Sequence, residues 1–150
     1  MFVALHPICQ SLICIPTARA DCADEVAAIR AVALAYMQAW YSGDVERMKA
    51  SLHPKLAKRS LMGVFGKPGL RYTSASDMIR YTQDVYGVSL RQQGQAIDVI
   101  VLDHYRSVAS AKVISPHYHE YLHLAKIDGR WVIVNALYEK RLPTDKGGSR

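Results

Sequence analysis

Beyond Cys22 the chain contains no cysteine. Cys9, Cys14 and Cys22 all precede the globular pattern, with neither metal-finger spacing nor a catalytic context. The domain itself therefore has no disulfide framework and no thiol nucleophile. Also absent are a glycine-rich phosphate loop, a dinucleotide fingerprint and a Ser-His-Asp order, and Gly63 and Gly66 are isolated turn glycines. No cofactor is expected on these grounds. No internal repeat and no linker divides the chain. The N-terminal apolar run, Phe2 to Ile15, is interrupted by His6, Pro7 and Gln10 and is too short to span a bilayer, so no membrane partner is expected.

Charge is in mild excess on one side only. Nineteen Lys and Arg face thirteen Asp and Glu, for a net charge of +6. Such a balance can draw a chain toward nucleic acid. Here the positive groups are scattered, the densest being Lys55, Lys58 and Arg59, then Lys140 and Arg141. Neither group interleaves with aromatics as a single-strand groove would, so no nucleic-acid partner is expected.

With 50% hydrophobic and 21% charged residues, 150 residues suffice for one domain with an ordinary core. The expected division is a leader over 1–23, a domain over 24–140 and a flexible tail over 141–150. Ala18-Arg19-Ala20 fits the small-x-small pattern cleaved by signal peptidase, whereas the segment before it has no Lys or Arg. Both readings stay open: a cytoplasmic chain is the slightly favoured one, and export follows if residues 1–20 are a signal peptide.

From Asp24 the periodicity is helical. Val26, Ile29, Ala33, Tyr36, Met37 and Trp40 form one apolar stripe that ends at Gly43. Asp44 caps a second short helix that stops before Pro54. Lys55 to Met62 reads as an irregular strand, and Gly66-Lys67-Pro68-Gly69 as a turn between Val64-Phe65 and Leu70-Arg71-Tyr72. Ser74 or Ser76 caps a third helix carrying Met78, Ile79, Thr82, Val85 and Tyr86, closed by Gly87. After Gly94 the pattern turns strand-like: 96–102, 107–115, 117–127 and 130–138, with a turn over 103–106 and a tight hairpin at Asp128-Gly129. Three helices followed by consecutive antiparallel strands imply a segregated α+β fold. A long sheet curled over helices to bury one face would leave a conical cavity.

Three stretches carry a family resemblance. They are Tyr36-Met37-Gln38-Ala39-Trp40-Tyr41-Ser42-Gly43-Asp44, then His53-Pro54-Lys55-Leu56-Ala57-Lys58-Arg59, and the closing run from Glu120 through Asp128-Gly129-Arg130-Trp131 to Asn135. Together they resemble the nuclear-transport-factor-2-like superfamily and, within it, the branch called putative lumazine-binding, in which Glu120 stands where aspartate is common. The resemblance covers about residues 24–140. It implies a cone-shaped curled antiparallel sheet on three N-terminal helices, forming an α+β barrel, and a homodimer. It implies no particular reaction, since the fold hosts isomerases, dehydratases, cyclases and binders alike.

Several side chains are candidates for chemistry. His53, inside a matched motif and near the mouth of the expected pocket, could move a proton. Arg59 offers a planar fork to an anionic or carbonyl group. Trp40, Tyr72, Tyr121 and Trp131 could line a flat aromatic pocket, and Asn135 is a polar residue within an apolar run. Asp98 and Asp103 are the only further acid–base candidates. His117, His119, Tyr121 and His123 alternate onto one strand face, with Tyr118, Glu120, Leu122 and Leu124 on the other. His119 and His123 lie about 13 Å apart along that strand, so a metal would need a third ligand such as His104 or His53, and no metal site is expected. Which face points inward is open. The first reading is a domain that binds a flat small-molecule ligand. The second is a cofactor-independent lyase or isomerase in which His53 or an aspartate moves the proton.

Overall fold

The computed structural model describes residues 18–61, 69–84 and 96–142. Helix α1 spans Ala18–Ser42, α2 Val45–Ser51 and α3 Ala75–Gln83. Strands β1 (Leu52–Ser60), β2 (Arg71–Thr73), β3 (Asp98–Tyr105), β4 (Val108–Ile114), β5 (Tyr118–Ile127) and β6 (Arg130–Lys140) form one sheet in the order β2-β1-β6-β5-β4-β3. Strands β3 to β6 make an antiparallel meander, and β1 joins it parallel to β6. The sheet is thus mixed, and the class is α+β.

The implied barrel is not closed. The curled sheet has two separate edges, β2 and β3, and β2 is only three residues long. The helices lie on one face of the sheet: α1 packs on β3, β4 and β6, and α3 packs on β1. Among the described residues no helix is long and apolar enough to cross a membrane.

The helical stripe of α1 is buried as its spacing demands, with Ile29, Ala33, Tyr36 and Met37 all inside. It shares one buried cluster with Ala109, Ala111 and Val113 of β4, Leu122 and Leu124 of β5 and Ile133 and Ala136 of β6. Gly43, at φ 73°, ends α1 with its N–H on the Ala39 carbonyl at 2.9 Å. The helix starts at Ala18, within the segment expected to be leader. Asp44 caps α2 through the Arg47 N–H at 2.9 Å. The chain passes directly into β1 at Leu52, before Pro54 rather than after it. Pro54 lacks an N–H to pair, and it sits where the β1–β6 register is irregular, between Leu52 and Ala57.

Strand boundaries move in two places. β3 continues to Tyr105 through a bulge between Val101 and Asp103, so the turn shrinks to residues 106–107. β2 pairs with β1 (Thr73 opposite Lys58); Val64, Phe65 and the turn over 66–68 lie outside the described residues, as do Val85, Tyr86 and Gly87 at the end of the third helix. Asp128 and Gly129 both have positive φ, 50° and 76°, as a two-residue hairpin of the right twist requires.

Of the two candidate caps, Ser74 is the one used. Its hydroxyl accepts from the Asp77 N–H at 3.1 Å, while the Asp77 carboxylate accepts from the Ser74 N–H at 3.1 Å, a complete capping box. The Ser74 hydroxyl, which donates to Asp77 Oδ2 at 2.7 Å, and after it the Ser74 N–H hold the Asp77 carboxyl below the usual carboxylate range. Ser74→Ala should therefore cost about 1 kcal/mol, or roughly 2–4 °C in Tm, and Ser76→Ala less than about 0.5 kcal/mol. Thermal unfolding followed by circular dichroism checks the contrast.

Candidate functional site

A cavity of about 250 Å³ lies between the helices and the concave face of the sheet. Tyr36 and Trp40 of α1 and Met78 and Tyr81 of α3 form one wall, and β1, β2, β5 and β6 supply the other. Register fixes which side chains meet there. Lys58 stands opposite Thr73 and Ala136, Glu120 opposite Tyr138, and Tyr118 opposite Lys140. The inward face of β5 is therefore that of Tyr118, Glu120, Leu122 and Leu124.

Two charges of opposite sign are buried here. Lys58 and Glu120 are 4% and 2% exposed, and Lys58 Nζ donates to Glu120 Oε2 at 2.6 Å. The same ammonium donates to the Tyr36 hydroxyl at 2.6 Å, and that hydroxyl donates to Glu120 Oε2 at 3.1 Å. Lys58 Nζ also lies 4.0 Å from the centroid of the Tyr138 ring, a cation–π contact in a desolvated place. Lys58, Glu120 and Tyr36 come from three different elements and satisfy one another.

Burial sets the protonation behaviour of the wall. It pulls the Lys58 ammonium below the usual lysine range, while Glu120 pulls the other way. It pushes the Tyr36 hydroxyl well up, with the Glu120 charge adding to the effect. The Tyr118 hydroxyl is pushed up to about 12, again first by burial and then by Tyr138, Tyr41 and Glu120. Both phenols are consequently neutral donors at ordinary pH. The Trp40 indole nitrogen is buried, close to Tyr118, and closes no hydrogen bond of ordinary geometry. The Trp40 and Tyr118 rings meet edge to face at 6.4 Å, and Tyr118 and Tyr138 at 5.6 Å.

The side chains singled out in the sequence divide between two faces. Trp40 lines the cavity. Arg59, Tyr72, Tyr121 and Asn135 lie on the outer face of the sheet. Arg59 donates to Asn135 Oδ1 at 3.1 Å and sits 6.0 Å from the Tyr72 ring; Tyr72 donates to the Leu56 carbonyl and Tyr121 stacks on His119. Asn135 also pairs with His123 at 3.1 Å. Trp131 is buried, donating from its indole to Glu25 Oε2 at 2.7 Å; Glu25 also pairs with Lys126 and fastens α1 to the last hairpin. His53 accepts from the Lys55 N–H at 3.1 Å and is not among the cavity-lining residues. Asp98 and Asp103 are exposed and also lie away from the cavity. A second hollow, more open to solvent, runs along β3 to β5 beside His104 and His123. Among the described residues no three His, Cys, Asp or Glu gather as a metal would require.

Lys58, Glu120 and Tyr138 were the residues to find. For Lys58 and Glu120 the signal is a charge beside apolar residues on the inward alternation: Leu56-x-Lys58 on β1, Glu120-x-Leu122-x-Leu124 on β5. Buried charges must find each other, so two such residues predict a pair.

Removing one partner leaves the other charge buried alone. Lys58→Met or Glu120→Leu should each cost about 3–5 kcal/mol, whereas the double variant should recover to within about 1 kcal/mol of the parent. Urea unfolding of the four proteins measures the coupling, and equal losses that simply add would contradict it.

Comparison with known proteins agrees with this architecture. Residues 24–139 match the family described as "Putative lumazine-binding". A search among curated proteins finds none that matches. Among solved structures, an NTF-2-like protein of unknown function from Silicibacter pomeroyi superposes with a TM-score of 0.64 at 17% identity, covering 80% of this chain and 98% of that one. An NTF2-like protein of unknown function from Methylobacillus flagellatus gives 0.64 at 22% identity, covering 79% and 94%. A ketosteroid isomerase-like protein from Erwinia carotovora atroseptica gives 0.57 at 18%, covering 80% and 98%. At these identities the structures share the fold and nothing finer. With more than half its length matched by the family's pattern, the chain belongs to the putative lumazine-binding family, on a nuclear-transport-factor-2-like fold.

Proposed function

We propose that the cavity binds a flat heteroaromatic small molecule without a cofactor. The carrying observation is the lining: Trp40, Tyr118 and Tyr138 around a space that ends on the buried Lys58–Glu120–Tyr36 cluster. Aromatic walls offer stacking to a planar ring, and one polar cluster at the bottom fixes its orientation. About 250 Å³ is at the small end for ligand pockets, which suits one or two fused rings.

One observation favours a second reading, a cofactor-independent lyase or isomerase. The hydrogen bonds of Glu120 all go to Oε2, which leaves Oε1 without one among the described residues. A substrate proton could be taken there, with Lys58 as counter-ion. In this reading Glu120 takes the part considered for His53 or an aspartate. Binding stands first because the pair is already mutually satisfied.

The partner on the outer face is proposed to be a second copy of the chain. Tyr72, Arg59, Leu137, Tyr121, Lys112 and Ile100 are successive cross-strand neighbours there, forming one row across the whole sheet. Tyr72, Leu137 and Tyr121 in that row are 57%, 43% and 50% exposed. A row of exposed Tyr72, Leu137, Tyr121 and Ile100, interspersed with Arg59 and Lys112, supports an association surface.

Two outcomes are expected. Titration with lumazine or quinoline should quench Trp40 fluorescence at micromolar to millimolar concentration in a Trp131→Phe background, and Tyr138→Ala should weaken the response about tenfold. No response to any flat heteroaromatic would remove the binding reading. Sedimentation equilibrium should give a dimer at micromolar concentration that Tyr121→Glu converts to monomer, and a monomeric parent would refute the outer-face partner.

A further inference from the structure

The lining of the cavity is graded in charge from its buried end to its open end. Rows of the inward sheet face follow one another along the strands. Thr73, Lys58, Ala136 and Leu122 form the deepest row; Arg71, Ser60, Tyr138 and Glu120 the next; Tyr118 and Lys140 the outermost. In the first two rows the lysine and the carboxylate neutralise each other. Toward the opening stand two further cations, Arg71 and Lys140, both exposed and both lining the cavity. Among the described residues neither has a carboxylate partner within ion-pair distance. The hydrogen bond given by the Arg71 guanidinium is a long one, 3.5 Å to the Tyr81 hydroxyl.

Arg71 and Lys140 lie on strands two positions apart and about one row offset, so their backbones are roughly 12 Å from each other by strand spacing and rise. Two long side chains can converge on one group across that distance. Three cations against one carboxylate leave the cavity positive overall, in a chain of net charge +6. A cleft of one sign with apolar walls concentrates the opposite charge.

We propose that the molecule taken by this cavity is an aromatic anion. Its flat body lies between Trp40, Tyr118 and Tyr138, and its carboxylate or equivalent acidic group lies at the opening between Arg71 and Lys140. This rests on the binding reading above and adds the charge and the direction in which the ligand enters. Arg71 binds through its fork and Lys140 as a point charge, so a planar carboxylate satisfies both.

The test compares 2-naphthoate with uncharged 2-naphthamide, which share the ring system and differ in charge. Binding is followed by the Trp40 indole N–H resonance in ¹⁵N-labelled protein, assigned with Trp131→Phe and read in 50 mM and 500 mM salt. The carboxylate should bind at least about tenfold more tightly than the amide at low salt, and the difference should shrink at high salt. Arg71→Gln/Lys140→Gln, at two exposed positions, should bring the affinity for the carboxylate down to that for the amide and so abolish the preference. Equal binding of the two probes to the parent would overturn the anion proposal while keeping the aromatic site. A preference that survives the double variant would overturn the assignment to Arg71 and Lys140. No shift of the Trp40 resonance with either probe would overturn both this proposal and the binding reading.

Discussion

The buried contact between Lys58 and Glu120 joins parts of the chain that are 62 residues apart and that no local preference would bring together. Tyr36 completes it from α1, so the cluster ties the first helix, the first strand and the central meander at one point. Taking two charges out of water costs several kcal/mol per ion, and only close partners offset that. The geometry leaves little freedom: one lysine of β1 must point inward, the carboxylate of β5 must meet it, and α1 must place its phenol between them. The register of β1 on β6, including the parallel sense that makes the sheet mixed, is the one in which all three meet.

Around that cluster the sheet separates two kinds of surface. On the concave side, α1 covers the small residues Ala109, Ala111 and Ala136, which let it approach closely. Farther along, Tyr118, Tyr138 and Trp40 replace them, meet edge to face and line the cavity. On the convex side, Arg59, Asn135, His123, Tyr72 and Tyr121 form polar and stacked contacts nearer to solvent. A ligand and a partner chain would thus meet opposite faces of the same strands.

Much of the fold was legible from spacing. The stripe on α1, the caps Asp44 and Ser74, the stop at Gly43 and the Asp128-Gly129 hairpin are local devices, each determined within a few residues. The bulge at Val101 and Asp103 and the pairing of β2 with β1 were not legible, because each depends on a neighbour distant in sequence. The site was less accessible still. Trp40 was identified from its place on the helical stripe and does line the cavity. The conspicuous residues of β1 and β6, Arg59 and Asn135, drew attention as polar groups beside apolar ones, yet they lie on the outer face with each other. Lys58 was grouped with scattered surface charge and Glu120 with a strand face left undecided, because a charge among apolar neighbours marks burial only once the covered face is known.

By itself the sequence determined the order and type of most helices and strands, which residues alternate together on each strand, and the family to which the pattern belongs. Alternation assigns residues to two faces but does not say which face is covered, since both faces of β5 mix polar and apolar groups. Only the tertiary structure decided that. Packing the helices on the face that carries Leu122 and Leu124 turned Tyr118 and Glu120 inward and His119, Tyr121 and His123 outward. The period of a strand is two, so a single choice of face reverses the role of every residue on it.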